Sequence, residues 1–228
     1  MMISPGTYYE MYLKDKSLDE IMTAIRSLKR EISRLKNIAE HPQYQCMIHP
    51  SEDVRISCNK DYLKVAKETL IKKGGIYIPT KAEIKIEEFD SNIPYINKIE
   101  FKMGGFFSGY ETRTITFDGD IVRQEIEPSF KLKPAYSYEP DPDDEEYKED
   151  FLSCLADLDI GDWRKHYDTR RFGYDVMDGT QWHLYIYFSN GHKPLKIEGN
   201  NAYPYNFNKL TVLINIDPNS LQSDDEEN

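Results

Sequence analysis

Gln181-Trp-His-Leu-Tyr-Ile-Tyr-Phe188 alternates without a break, with Trp182, Leu184, Ile186 and Phe188 on one side and Gln181, His183, Tyr185 and Tyr187 on the other. Successive side chains of a strand point to opposite faces, so this period of two marks a strand buried on one face and wet on the other. Asn190-Gly191 then turns the chain into a second run, Pro194 to Glu198, because Asn-Gly tolerates the positive φ angles of tight hairpins. Working upstream, Asn97 to Met103 places Ile99, Phe101 and Met103 on one face, and Gly104 to Gly109 reads as a loose hairpin connection. Tyr110 to Phe117 and Ile121 to Glu127 flank Asp118-Gly119, a second hairpin signal. Phe151, Leu152, Leu155 and Leu158 predict a core-facing helix ending near Gly161, and Phe207, Leu210, Leu213 and Ile214 a final helix within Tyr205 to Ile216. The expected class is α+β: an antiparallel sheet with helices on one face, preceded by an N-terminal helical hairpin.

The hairpin is read from a different period. Ser17-Leu-Asp-Glu20 has the capping-box form, in which Ser17 and Glu20 satisfy each other's orphan backbone donors. Ile21, Ile25, Leu28, Ile32 and Leu35 follow at steps of four and three, a narrow apolar seam. That helix should stop before Pro42. A second is expected from Asn59 to Lys73, with Leu63, Ala66 and Leu70 inward and Gly74-Gly75 closing it. A shorter third follows the capping box Thr80-Lys-Ala-Glu83 to about Asp90. The texture changes at Asn92-Ile93-Pro94, which divides the chain into a mainly helical region 1–92 and an α+β domain 93–217.

The 228 residues can bury a sizeable core without staples. Cys46, Cys58 and Cys154 form an odd set that suits reduced thiols. The start, Met1-Met2-Ile3-Ser4-Pro5-Gly6, lacks a basic n-region and an apolar h-region, and no apolar run reaches membrane-spanning length. Both point to the cytoplasm and to no membrane partner. The formal net charge of −11 would argue against nucleic acid if it were spread over the fold. It is not: residues 139–150 carry one basic residue against eight acidic ones, and residues 218–228 carry none against four, which leaves the rest neutral. Such runs are expected to form a solvated acidic loop and a disordered acidic tail.

Several constellations carry candidate chemistry. His41, Cys46, His49 and Cys58 could hold zinc in the connection between the first two helices, but no C-x2-C knuckle is present, an ordinary loop with unrelated His and Cys is the favoured reading, and no metal site is expected. Arg26, Lys29, Arg30, Arg34 and Lys36 make the first helix basic off its seam, and Lys60, Lys64 and Lys67 stripe the second. If the stripes face one way they form a phosphate-binding surface; otherwise they are solubilising. The seam itself either packs on the second helix or forms a short homodimeric coiled coil. His183, Tyr185 and Tyr187 lie opposite the core face of their strand, with His166, Tyr167 and Asp178 as candidate neighbours for acid–base chemistry. No nucleophile elbow, phosphate loop, H-E-x-x-H or dinucleotide fingerprint accompanies them, and no cofactor is implied. A tyrosine-rich open face suits partner binding, and 17 tyrosines are a high count.

Ser4-Pro-Gly-Thr-Tyr-Tyr-Glu10, Ile25-Arg-Ser-Leu-Lys-Arg-Glu31, Arg34-Leu-Lys-Asn37 and Pro50-Ser-Glu-Asp-Val-Arg-Ile56 resemble uncharacterised bacterial proteins, often associated with mobile elements. Asp178-Gly-Thr-Gln-Trp182, Asn200-Asn-Ala-Tyr-Pro204 and Asn206-Phe207 are similar to a module in other such proteins. The resemblance implies a bacterial cytoplasmic accessory or interaction protein and carries no activity or site residues. The leading expectation is a non-enzymatic protein-interaction or regulatory protein. A nucleic-acid-binding accessory factor on the basic stripes and a small enzyme around His183 and Asp178 are the alternatives.

Overall fold

The computed structural model describes residues 3–46, 49–105, 109–127, 147–176 and 179–216. The chain forms two compact units, Met1–Thr80 and Lys81–Asn228. The first is helical: α1 (Pro5–Tyr12), α2 (Leu18–Ala39) and α3 (Glu52–Lys72). Ser17 and Glu20 make the reciprocal capping box. Ile21, Ile25 and Leu28 pack with Leu13, Ala66 and Leu70 in one buried cluster, so the seam is spent on the hairpin. Lys73 clamps the entry to α2, its Nζ donating to the carbonyls of Leu13, Lys14 and Lys16 at 3.3, 2.6 and 2.8 Å.

Two features of this unit differ from the expected hairpin. Helix α1 has no buried residue and no apolar stripe to announce it. Its Ser4 cap accepts from the Thr7 backbone amide, and Tyr8 stacks on Tyr62 with ring centroids 4.4 Å apart. Helix α3 begins at Glu52, seven residues before the expected Asn59. Glu52 is a charged residue at a buried position and broke the pattern; it accepts from the Tyr44 hydroxyl at 2.5 Å and lies 3.6 Å from the Arg55 guanidinium.

The second unit contains α4 (Lys81–Asn92), β1 (Ile96–Gly105), β2 (Gly109–Asp118), β3 (Ile121–Glu127), α5 (Lys148–Ala156), β4 (His166–Asp168), β5 (Gln181–Phe188), β6 (Leu195–Asn200) and α6 (Phe207–Leu213). The division between units therefore falls at 80/81 and not at the change of texture at 92/93. The reason is Phe89 of α4, which is buried in the core of the sheet unit, with Gly161 close under it. The sheet order is β3-β2-β1-β5-β6-β4. All neighbours are antiparallel except β4 and β6, which run parallel. Both hairpin signals hold: Gly119 and Gly191 have φ of +61° and +81°. The expected helix to Gly161 ends instead at Ala156 and resumes as a single turn at Ile160–Asp162.

One sheet face carries the core, in which Phe151, Leu155, Leu158, Phe207, Leu210 and Ile214 cover Ile99, Phe101, Ile115, Trp182, Leu184 and Ile186. Trp182 is fully buried and donates from Nε1 to the Ala202 carbonyl at 2.9 Å. Its ring lies so close over Gly199 that a Cβ there would sit 2.2 Å from Nε1. Trp163 donates to Asn206, which in turn donates to the Leu158 carbonyl. Arg113 is the one fully buried cation among the described residues, bonded to Glu111 at 2.6 Å and to the carbonyls of Ile214 and Asn215 at 2.8 and 2.7 Å. Of the acidic stretch 139–150, residues 147–150 are described: Tyr147 pairs with Ile121, and Glu149 and Asp150 sit in the first turn of α5, where carboxylates suit the helix dipole. The rest of that stretch and the tail 218–228 lie outside the described residues.

Candidate functional site

Because Ile99 and Phe101 point into the core, Lys98, Glu100 and Lys102 of β1 point away from it, and the register carries this parity across the sheet. Lys98 sits between Thr116 and Tyr187, Glu100 between Thr114 and Tyr185, and Lys102 between Thr112 and His183. On β6, Lys196 lies opposite Tyr185, and Glu198 lies between His183 of β5 and His166 of β4. The helices that form the core pack on the other side, so a polar and aromatic face remains across β1, β5 and β6.

This face is organised around tyrosine rings. Tyr187 donates its hydroxyl to Glu100 Oε2 at 2.5 Å. Lys98 Nζ is 2.6 Å from Glu100 Oε1 and 5.2 Å from the Tyr187 ring centroid. The bond to Glu100, with partial burial, pushes the Tyr187 hydroxyl up to about 12. The Lys98 ammonium and that hydroxyl hold the Glu100 carboxyl below its ordinary value. Lys196 lies 5.4 Å over Tyr185, and Lys102 4.7 Å over Tyr110, whose hydroxyl donates to Gln181 at 2.7 Å. The His183 ring is within 18° of parallel to that of Tyr185.

The imidazoles form a row with one carboxylate. His166 Nδ1 is 2.9 Å from Glu198 Oε1, while His183 Nδ1 is 3.7 Å from Oε2 and is buried without a hydrogen bond. His183 and His166 thus meet a carboxylate on β6, Glu198, that sequence reading passed over; Asp178 lies outside the described residues. Tyr167 belongs to the opposite face, where it is buried against Trp182. Strand parity locates Lys98 and Lys102 once β5 is paired with β1, Lys196 once β6 is paired with β5, and Tyr110 once β2 is paired with β1.

The other candidates fare differently. Ile21, Ile25, Leu28, Ile32 and Leu35 are all buried within one chain and cannot also line a dimer seam. His41 Nδ1 accepts from the Gln43 amide and Cys46 is exposed. Among the described residues no group of three or more His, Cys, Asp or Glu side chains is placed to hold a metal ion, His41, Cys46, His49 and Cys58 included. The basic stripes do approach each other: Lys29 of α2 and Lys67 of α3 lie 5.2 and 4.9 Å over the same ring, that of Tyr77. Arg34 is taken up by a two-pronged pair with Glu31 at 2.8 and 2.7 Å. Arg26, Arg30 and Lys64 are exposed, and Lys60 is half-buried.

No protein family, curated protein or solved structure matches this chain. No described helix is long and apolar enough to cross a membrane.

Proposed function

We propose that the protein is a non-enzymatic interaction protein whose working surface is the open face of the sheet. The observation that carries this reading is the set of three tyrosine rings on that face, each with a lysine ammonium within 5.4 Å. Tyrosine offers rigid apolar area with a polar tip and loses little conformational freedom on binding, which is why it concentrates at recognition surfaces. Only His166 and Glu198 of this row are open to water, at 74% and 51% exposed, while His183 is 30% exposed with its Nδ1 buried. Acid–base catalysis works best where water is excluded, so the row supports a binding face better than an active site. The bacterial and mobile-element resemblance adds the role of a regulator or inhibitor. The test places a photo-reactive benzoyl group at Tyr185 in the full chain, in its own cells, with the same group at exposed Tyr12 as the control. Adducts specific to position 185 are expected; none there, or equal yields at both positions, would refute the reading.

A second reading has its own support. Lys29 and Lys67 share the Tyr77 ring, which favours a phosphate-binding stripe along α2 and α3. It requires affinity for nucleic acid that falls steeply with salt and is lost when Arg26, Arg30 and Lys64 are changed to Glu. Binding that ignores salt or survives those changes would eliminate it.

A further inference from the structure

The open face also carries the chemistry of its occupant, an inference that rests on the interaction reading above. A protein partner wants an interface core of aliphatic and aromatic groups from which Lys and Glu are depleted. Here the outward residues of β1, β5 and β6 include no aliphatic side chain: they are Lys98, Glu100 and Lys102, Gln181, His183, Tyr185 and Tyr187, and Lys196, Glu198 and Asn200. Among these described residues the apolar area is flat and aromatic, and a lysine stands over each of Tyr185, Tyr187 and Tyr110. Flat rings alternating with ammonium groups complement a ligand that alternates flat rings with phosphates. We infer that this face binds single-stranded nucleic acid, with bases stacking on Tyr185, Tyr187 and Tyr110 and phosphates meeting Lys102 and Lys196.

Three physical points support the assignment. Tyr185 and Tyr187 are two residues apart on one strand face, about 7 Å by strand rise, so each ring can take its own base. Exposed cation–π pairs are weak, so an incoming base exchanges with the ammonium at the ring face while the ammonium turns to the neighbouring phosphate. The carboxylates within the patch are already engaged: Glu100 by Lys98 and the Tyr187 hydroxyl, and Glu198 by His166. The open-face carboxylates of β3, Glu125 and Glu127, lie at the far edge and set the boundary of the track. A duplex presents its bases edge-on inside the stack and cannot use these rings, so the ligand is unpaired.

The test is fluorescence anisotropy of the full chain with labelled oligo-U and oligo-dT of about 12 nucleotides, and with a duplex of the same length. Single strands should bind in preference to duplex. Changing Tyr185 and Tyr187 together to Ala should weaken binding by about tenfold or more for each ring. The Phe versions, which keep the rings and lose the hydroxyls, should bind nearly as well as the wild type. Lys102→Ala with Lys196→Ala should flatten the salt dependence between about 50 and about 200 mM. These side chains are outside the core, and a single cooperative melting transition well above the assay temperature establishes that each variant is folded, even where loss of the Tyr187 hydroxyl lowers its midpoint. No binding to single strands, equal binding to duplex, or affinity that survives loss of both rings would overturn the inference. Photo-adducts at position 185 that contain protein and no nucleic acid would overturn it while leaving the interaction reading intact.

Discussion

Arg113 offers a sharp energetic test, because a cation with no solvent exposure must be held by its partners. Its Nε donates to Glu111 at 2.6 Å and one terminal nitrogen to the carbonyls of Ile214 and Asn215, just past α6. Arg113→Met keeps the length of the stem and removes the charge and donors. The Ile214 carbonyl retains a bond from Gln124 Nε2 at 3.0 Å, whereas the Asn215 carbonyl loses this donor. The Glu111 side chain, 14% exposed, is left as a nearly buried carboxylate without its guanidinium. Removing one partner of a buried ion pair costs roughly 3–5 kcal/mol, mostly from the charge left behind. A second change, Glu111→Leu, removes that stranded charge, so the double variant should be more stable than Arg113→Met alone by about 1–3 kcal/mol. The assay is urea unfolding followed by tryptophan emission, which reports the sheet unit because both tryptophans, Trp163 and Trp182, belong to it. A single-variant cost below about 1 kcal/mol, or a double variant less stable than the single one, would refute the reasoning.

Gly199→Ala drives a methyl to within 2.2 Å of Trp182 Nε1 and 2.6 Å of the Ala202 carbonyl; overpacking and the disturbed indole bond should cost about 2–4 kcal/mol, seen as a lower urea midpoint with red-shifted emission. Ile25→Ala empties a fully buried position in the helical hairpin and should remove about 2–4 kcal/mol from the far-ultraviolet dichroism transition; a loss under about 0.5 kcal/mol would mean that the seam packs elsewhere. Glu20, bonded by Lys16 and Ser17, has its carboxyl lowered from 4.5 to about 2. Its stabilising effect is therefore complete above pH 4.5 and fades as pH falls towards 2, and Glu20→Gln should abolish that part of the acid sensitivity of α2. The Tyr187 hydroxyl, raised to about 12 by Glu100, stabilises the fold fully below pH 10 and loses its effect as pH rises through 12. An ultraviolet titration should lack the late-ionising tyrosine in Tyr187→Phe; an unchanged titration would remove the pair.

Much of this fold was legible because its elements obey simple periods. The alternation at Trp182 to Phe188, the two Gly-containing turns at Gly119 and Gly191 and the four-three seam of α2 each state a local preference that the tertiary structure keeps. The failures have physical causes. Helix α1 is held by a capped Ser4 and by rings, with Tyr8 on Tyr62, and so has no stripe to read. The start of α3 is hidden by Glu52, which is buried with Tyr44 and Arg55 as partners. The division of units was misplaced because Phe89 serves the sheet although its helix resembles the preceding ones in composition. At the site, strand parity located His183, Tyr185 and Tyr187 on the open face. Their working neighbours on other strands require the pairing of β1 with β5 and of β5 with β6, which a single strand's sequence does not contain.

That central pairing has a kinetic side. Strands β1, β2 and β3 are joined by short connections, as are β5 and β6, but Glu100 and Tyr187 are 87 residues apart in the chain. Closing so long a loop costs more entropy than closing either hairpin, and non-local pairing slows folding. Pairing of β1 with β5 is therefore expected to be the slow step of sheet formation. Lys98 and Glu100 come from one side of this β1–β5 seam and Tyr187 from the other, so their ion pair and the ring and hydroxyl it meets come together only when the seam closes. A ligand that spans it binds only the finished sheet and, by mass action, holds the two sides of the seam together.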